Sequence, residues 1–353
     1  MTRIETIASF LCRYCRVLGL IMILSTAVPV LYLCGLGFDN SVKMWLDQSS
    51  TPYQQYEAFL SRYGSDEFTL IVCETESPFS DESLALQRQL ANRLQEIDKV
   101  EQVLSVPHYL DALWKGKAGW ERMGRPSDYL LDILTGPNHK HIGTYVMLQA
   151  QIDPADKDRA MQVIEAVTSD VCKGKAKAHL VGIPVLAATL TQAAKISSMR
   201  YLPLALLACL IALAVSLRSA RAVLAVMVSV GVASIWTTGL IAMTGRSLNL
   251  ITSAIPTVIS VLALANGIHI ASEFLTECRP THNRFRVMRR VLTRLIGPVV
   301  FTSITTAVGF GSLALSQMKP ISEMGMFMSI GIMISGVCNL MEQCETFKAY
   351  ISA

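Results

Sequence analysis

Three strongly polar side chains lie within a mainly apolar stretch of the sequence, Leu250 to Phe274, whose other polar residues are serines and threonines, among them Thr252, Ser253, Thr257 and Ser260. Asn266, His269 and Glu273 are separated by three and four positions, which places them on one face of a helix. Polar side chains are costly in a helix that crosses a membrane, so they usually face a bundle interior or a pathway. We consider this face a candidate polar path. His269 is close to one end of the stretch, so either a proton relay or a histidine that reaches interfacial water fits its position.

A second polar face lies further along the chain. Thr302, Thr305 and Thr306 occur with Gly309 at helical spacing, and Ser303 lies beside them. Small and hydroxylated residues at this spacing allow two helices to approach closely and to form hydrogen bonds across the contact. Two interpretations remain open: the threonines extend the candidate polar path, or they serve only to pack two helices together.

Neither face has the pattern of an enzyme active site. A nucleophilic side chain needs a base and a group that orients the base, and the sequence contains no such local set. His108, His139 and His141 are scattered over predicted loops, where a surface role is expected. We therefore predict no enzyme activity, no metal site and no cofactor.

The composition is that of a membrane protein. Hydrophobic residues make up 52% of the 353 residues and charged residues 16%, whereas a soluble domain carries about 25% charged residues. The apolar residues fall in blocks of roughly 17 to 25, the length that a helix needs to cross a bilayer. A net charge of +4 is too small to indicate a nucleic-acid partner.

Six blocks are long enough to span a membrane. The first is too long for the core of a signal peptide, so we expect it to be retained. The predicted spans are Val17–Phe38, Tyr201–Leu217, Ala222–Thr244, Leu250–Phe274, Ile296–Leu315 and Met324–Leu340.

The basic residues predict which ends of the spans face the cytoplasm. Basic groups precede span one, separate span two from span three, and separate span four from span five. Positive residues favour cytoplasmic loops, so the N-terminus and these three segments are predicted to be cytoplasmic in a protein of the inner or plasma membrane. The basic segment from Arg279 to Leu295 suits either an amphipathic helix on the inner leaflet or a solvated loop.

Residues 39–199, between the first two spans, are predicted to alternate between strands and helices, with Ser80 placed to cap the first helix. An irregular stretch at 108–140 separates two strand–helix–strand units. This doubled pattern predicts an α+β domain with ferredoxin-like βαβ repeats, its helices on one face of a mixed sheet. The strands are Phe68–Cys73, Val100–Val106, Ile142–Ile152 and His179–Val185; the helices are Asp81–Ile97, Lys157–Val171 and Pro184–Arg200, which continues into span two.

The predicted fold is therefore a membrane α-helical bundle of six spans with an inserted extracytoplasmic α+β domain. Residues 1–38 form the cytoplasmic N-terminus and the first span, and residues 39–199 the inserted domain. Residues 200–340 contain spans two to six, and residues 341–353 form a polar cytoplasmic tail.

The nine cysteines do not form a metal-binding or disulfide framework. Cys12 and Cys15 form a single Cys-x-x-Cys pair with no second pair nearby to complete a metal site. Cys73 and Cys172 both fall in the predicted external domain and would pair if that compartment is oxidising. Sequence alone does not bring their Cα atoms within bonding reach.

Spans four to six carry motifs that resemble a known family. Residues 261–270 (VLALANGIHI) are similar to the fourth-span motif of RND-superfamily exporters of the MMPL and sterol-sensing-domain branch. Residues 298–316 (PVVFTSITTAVGFGSLALS) are similar to the fifth-span pattern, and Pro320-Ile321 followed by Gly325 to the entry of span six. The order of one span, an external domain and five spans resembles the N-terminal half of such an exporter.

The resemblance implies efflux of a lipid-like or amphiphilic substrate. The external domain would be a porter-like entry or relay site, and the spans would drive transport. The partners implied are membrane lipids, the lipid-like substrate and a second half of the transporter, because family members have two such halves and twelve spans. This chain carries six, so we expect a homodimer, a separate second half, or a fragment of a longer exporter.

One departure from the family bears on the energy source. Proton-coupled members carry an aspartate just before the Ile-His pair, where this sequence has Ala265, Asn266 and Gly267. Asparagine does not ionise, so His269 or Glu273 is left to titrate. The missing acid favours an alternative function, a lipid- or sterol-sensing membrane module that does not transport.

Overall fold

The computed structural model describes residues 3–45, 50–65, 67–75, 77, 80–108, 140–149, 152–277 and 284–352. Residues 109–139 of the predicted irregular stretch, with His139, lie outside the described residues. The chain divides into two compact units, Met1–Asp39 with Gln192–Ala353, and Asn40–Thr191. We call them the helical unit and the α+β unit.

Apolar and amphipathic runs form the helices, and β-branched runs form the strands. In the described part of the chain the strands are β1 (Phe68–Glu74), β2 (Val100–Ser105), β3 (His141–Leu148) and β4 (Lys177–Gly182). The helices there are α1 (Arg3–Leu33), α2 (Thr51–Tyr63), α3 (Asp81–Gln95), α4 (Pro154–Cys172), α5 (Ile183–Leu217), α6 (Ala220–Met243), α7 (Ile255–Glu277), α8 (Arg284–Gly311) and α9 (Lys319–Ser352).

Within the described residues, five helices are long and apolar enough to cross a membrane, and α1 is a sixth if its segments Ile4–Tyr14 and Val17–Leu33, bent by 72°, form one span. The predicted helix before span two is confirmed, because α5 is continuous from Ile183. The five spans are Ile183–Leu217, Ala220–Met243, Thr252–Glu277, Arg286–Leu315 and Lys319–Met341.

Two predicted ends differ from the structure. Span one was expected to reach Phe38, but α1 ends at Leu33 and a turn follows, because Phe38 pairs with Leu248 in a short parallel β-bridge. The last strand was expected to reach Val185, but β4 ends at Gly182 because α5 begins at Ile183. The end predicted for span six, Leu340, lies one residue from the end of the span Lys319–Met341, and the backbone of α9 continues to Ser352.

The basic segment before span five is a helix. It forms the first three turns of α8, which continues through Pro298 to Gly311. Val287, Val291 and Leu292 are buried in the core of the helical unit, whereas Arg289 is exposed. The loop interpretation is therefore wrong for residues 284–295, because the apolar positions of this stretch have a core to pack against. Arg279 lies outside the described residues.

Helix α6 lies at the centre of the helical unit and packs against α1, α7 and α9. Its buried positions include Val226 and Val230, which share a core with Ile259 of α7 and Met328 of α9. Small residues allow the helices to approach closely. A Cβ atom added at Gly331 of α9 would lie 2.5 Å from the Thr237 methyl group of α6.

One end of the helical unit is held by contacts between segments that are distant in sequence. The Asp39 N–H donates to the Leu248 carbonyl (2.8 Å), and the Leu248 N–H donates to the Gly37 carbonyl (2.9 Å). Arg246, in the same link between α6 and α7, pairs with Glu323 near the start of α9. The segment after α1, the α6–α7 link and the start of α9 thus lie together, as an alternation of spans requires.

The part of the α+β unit that the structure describes contains one four-stranded sheet in the order β2-β3-β1-β4. All three pairings are antiparallel, so the prediction of a mixed sheet is wrong. The reason is that β3 inserts between β1 and β2 and pairs with both. Alternate residues of β1 are buried in a core shared with α3 and α4. The predicted cap of α3 is confirmed, since the Ser80 hydroxyl accepts a hydrogen bond from the Ser83 N–H.

Candidate functional site

Helix α7 carries Asn266, His269 and Glu273 on one side, away from its buried residues. Ala263, Ile270 and Phe274 of α7 are fully buried in the core. Asn266 and Glu273 are half-buried, and His269 is exposed at the surface of the helical unit. Neither Asn266 nor His269 forms a hydrogen bond with another described residue. The middle of the candidate polar path therefore faces outward from this bundle.

Glu273 is engaged in an ion pair. Its carboxylate lies 2.7 Å from a guanidinium nitrogen of Arg294 on α8. The same arginine lies 3.8 Å from Glu277, and Arg290 lies 4.0 Å from Glu277. This cluster joins the end of α7 to the first part of α8.

The threonines of α8 bond to their own helix. The Thr302 hydroxyl donates to the Pro298 carbonyl (2.8 Å), and the Thr305 hydroxyl donates to the Phe301 carbonyl (3.0 Å). Thr302 and Thr305 are exposed, and Thr306 is half-buried. No hydrogen bond between described residues joins these threonines to Asn266, His269 or Glu273.

Ser303, which the sequence places only beside the threonines, lies at the packed side of α8. It is buried, and a Cβ atom added at Gly336 of α9 would lie 2.6 Å from its hydroxyl oxygen. Close packing of α8 against α9 therefore depends on Ser303 and Gly336, while Thr302 and Thr305 remain available on the outer surface.

A buried asparagine that the sequence analysis does not single out joins three helices. The Asn339 carbonyl oxygen accepts a hydrogen bond from Ser229 of α6 (3.0 Å). Its amide nitrogen donates to the backbone carbonyls of Ala263 on α7 (3.1 Å) and Ser335 on α9 (3.0 Å). The sequence does contain a signal for this role. An amide side chain in an apolar span is costly unless it forms hydrogen bonds, so an asparagine at position 339 indicates partners on neighbouring helices.

The α+β unit has an open cleft of about 1180 Å³ at one end of its sheet. Hydroxyl and basic side chains line it together with Cys73, Leu86 and Ile142; among the polar residues are Thr75, Ser80, Ser83, Lys140, His141, Lys175 and Lys177, with the carboxylates of Glu74 and Glu82. The cleft therefore combines hydroxyl groups, cations and two carboxylates with a few apolar side chains.

Cys73 and Cys172 meet below this cleft, with 3.7 Å between their sulfur atoms. The hydrogen bond between the two sulfur atoms lowers the pKa of Cys172, and the Lys175 ammonium group lowers it further. The same contact, together with burial, raises the pKa of Cys73. Cys172 is therefore the more readily ionised of the two thiols.

The apolar spans and the α+β unit between α1 and the later spans define a multi-pass membrane protein with an inserted domain. The chain matches the MMPL family over residues 46–340. This match covers most of its length, so the chain belongs to the MMPL family, as the motifs of spans four to six predict. None of the curated proteins compared with the chain matches it.

Proposed function

We propose that this chain is one half of an RND-type transporter that exports a lipid-like or amphiphilic substrate, and that it functions as a homodimer in the inner or plasma membrane. Family membership supports a transporter rather than an enzyme. The observation that carries the homodimer is the outward position of His269, Thr302 and Thr305.

Polar residues in spans almost always face a bundle interior or a water-filled cavity rather than lipid. His269 and the two threonines have no such cover within one six-helix bundle. A second copy placed against α7 and α8 would enclose them and create a polar path between the two bundles. Ala265 and Gly309, both exposed on the same helices, allow the close approach of helices that such a contact needs.

The proposed topology places the N-terminus in the cytoplasm and the α+β unit outside it, as the basic segments indicate. The connection order of this unit, with β3 between β1 and β2, supports a ferredoxin-like βαβ fold. Its cleft is lined by cations, hydroxyl groups, two carboxylates and apolar side chains, which suits an amphiphile with a polar head group. Membrane lipids would surround the spans and supply the substrate.

His269 is the residue that we propose for proton coupling. Asn266 does not ionise, and Glu273 is held by Arg294. A histidine ring accepts a proton at one nitrogen and donates one from the other, and His269 lies on the candidate polar path, where the second copy would cover it.

Flux measurement tests the proposal. The full chain is reconstituted in vesicles that contain a fluorescent phospholipid or a fluorescent amphiphile, and export is recorded under an imposed pH gradient. We expect gradient-dependent export that His269→Gln abolishes, whereas His179→Gln, which removes an exposed histidine of the α+β unit, leaves it unchanged. Absence of export by the unmodified chain would contradict the transport function.

Lipid or sterol sensing without transport is the second candidate function, because Asn266 and the Glu273–Arg294 pair leave no free carboxylate among the site residues of α7. The same vesicles discriminate between the two functions. Saturable lipid binding that is indifferent to the pH gradient, with no flux, would favour the sensing module.

A further inference from the structure

We propose that Cys73 and Cys172 form a structural disulfide bond that locks α4 onto the centre of the β-sheet. The proposal rests on the extracytoplasmic position given above for the α+β unit, because disulfides persist in oxidising compartments. Of the nine cysteines, these two are the pair that the described structure brings into contact within the α+β unit.

The backbone holds both cysteines in rigid elements. Cys73 lies in β1, where it pairs in register with Ile142 of β3 on one side and Ala178 of β4 on the other. Its side chain points to the same face as Ile71, toward the core that contains α3 and α4. A residue at the centre of a sheet has little freedom to move away from its neighbours.

Cys172 is the last residue of α4 and is fixed by the turn that leads into β4. The Lys175 and Ala176 N–H groups both donate to the Cys172 carbonyl at 3.0 Å. Gly174 has φ +73, a conformation that glycine adopts without strain and that other residues rarely adopt. Because β4 is the neighbour of β1, this turn keeps the end of α4 above Cys73.

The two sulfurs face each other in a closed environment. Cys73 is 0% exposed and Cys172 is 3% exposed. A disulfide bond is about 2.0 Å long, so the sulfurs, now 3.7 Å apart, must approach by less than about 2 Å. Rotation of two side chains supplies most of such a movement.

The oxidant is a protein disulfide of the thiol–disulfide exchange class. The Cys172 thiolate, formed by loss of one proton, attacks one sulfur of that disulfide and displaces the other as a thiolate. The Cys73 thiolate then attacks the Cys172 sulfur, and the second oxidant sulfur leaves. The net result is one bond between Cys73 and Cys172. The two cysteines lose two electrons and two protons, and the oxidant disulfide gains both and becomes two thiols. The burial of both sulfurs indicates that the exchange takes place before the unit closes.

The bond would close a long loop, which includes α3, β2 and β3. Constraint of such a loop in the unfolded chain raises stability, more for long loops than for short ones. We expect reduction of the bond to lower the thermal midpoint of the α+β unit by about 10 °C.

Differential alkylation of the full chain tests the proposal. Membranes are quenched in acid, denatured and treated with N-ethylmaleimide. The protein is then reduced, treated with an isotopically heavy maleimide, digested and analysed by mass spectrometry.

We expect the heavy label on Cys73 and Cys172 and the light label on Cys34, an exposed free thiol. In the Cys73→Ser variant Cys172 should take the light label, whereas Cys209→Ser, a change in the helical unit, should leave the pattern unchanged. Light label on both Cys73 and Cys172 of the unmodified chain would overturn the proposal.

A second measurement separates the geometry from the topology. The purified chain is fully reduced while a denaturant opens the α+β unit, the denaturant is then removed in the presence of oxidised glutathione, and the product is searched for the peptide that links Cys73 to Cys172. Formation of this peptide is expected. Absence of this peptide would overturn the proposed geometry. If the peptide forms in vitro but Cys73 and Cys172 are free thiols in membranes, the extracytoplasmic position of the unit is wrong. Neither outcome depends on export, so each is distinct from a failure of the transport assay.

Discussion

The Arg294 guanidinium donates a hydrogen bond of 2.7 Å to the carboxylate of Glu273 and so connects the last turns of α7 to the first turns of α8. The pair is partly open to solvent, since 68% of the Arg294 side chain and 32% of the Glu273 side chain are exposed. Glu273 is thus neutralised by a specific partner. The candidate polar path then keeps one ionisable residue without a counter-charge among the described residues, His269.

Loss of the arginine should destabilise the helical unit more than loss of the carboxylate. Arg294→Ala removes the partner of Glu273 and a charge 3.8 Å from Glu277, whereas Glu273→Gln keeps a hydrogen-bond acceptor. Exposed pairs contribute up to about 1 kcal/mol, so we expect a loss of about 1 kcal/mol for the first variant and less for the second. The thermal midpoint of the detergent-solubilised chain measures both. Arg289→Ala is the control, since Arg289 is exposed and has no ion pair in the described part of the chain; an equal effect there would contradict the prediction.

Arg246→Ala should lower the stability of the helical unit more than Arg294→Ala does, because it leaves the buried carboxylate of Glu323 without its partner. Arg246 lies 2.8 Å from Glu323, whose side chain is 6% exposed, and 5.7 Å from the centre of the Phe327 ring. Breaking a fully buried pair costs about 3–5 kcal/mol. Since the Arg246 side chain is 40% exposed, we expect about 2 kcal/mol.

The double variant Arg246→Ala with Glu323→Gln tests the cause of this loss. It removes both charges, so it should recover most of the thermal stability that Arg246→Ala loses. Equal midpoints for the single and the double variant would show that the loss comes from packing on Phe327 instead.

Close packing at the start of α9 gives a further prediction. A Cβ atom at Gly325 would lie 2.6 Å from the Ala314 backbone nitrogen and 2.7 Å from the Phe310 carbonyl oxygen. These backbone atoms cannot rotate away, so Gly325→Ala should cost about 1–3 kcal/mol through displacement of the helix. Gly231→Ala is the matched control in α6, where a Cβ atom meets nothing within 4 Å; there we expect a gain of about 0.5–1 kcal/mol from helix propensity. If the thermal midpoints of Gly325→Ala and Gly231→Ala shift in the same direction, this account is wrong.

Most of the secondary structure follows from the sequence, because the spans are long apolar blocks and the α+β unit has clear helical and alternating patterns. The positions of β1, α3, α4 and the helix that leads into span two are all confirmed. Pairing was harder to predict: local patterns do not reveal that β3 inserts between β1 and β2, which makes the sheet antiparallel. Local sequence patterns also do not reveal which side of each helix is covered by a neighbouring helix. Spacing places Thr302 and Thr305 on one face, but contacts with α9 decide that Ser303 is the buried neighbour.

Asn339 should contribute to stability as a connector of three helices. Its amide bonds to Ser229 of α6, to the Ala263 carbonyl of α7 and to Ser335 of its own helix. Asn339→Leu keeps a similar volume and removes these hydrogen bonds, which leaves the Ser229 hydroxyl buried without its acceptor. Each such loss costs about 1–3 kcal/mol, so we expect a total of about 2 kcal/mol in thermal or chemical unfolding. Ser229→Ala in the Asn339→Leu background should recover part of it; no recovery would argue against the proposed role of Ser229.

The homodimer predicts which surface of the helical unit a second copy covers. In a Cys34→Ser background, which removes an exposed native thiol, single cysteines at Ala265 and at Thr305 should form disulfide cross-links between copies when membranes are oxidised. Both positions are exposed, Ala265 on α7 and Thr305 on α8, the two helices that the proposed second copy covers. A cysteine at Leu224, which is 65% exposed on α6, should stay monomeric. The cross-linked species should run at twice the 38.7 kDa of one chain on a non-reducing gel. Cross-linking that is equal at all three positions would indicate random collision. A native mass of one chain with no cross-link at Ala265 or Thr305 would show that a second copy does not cover this polar face.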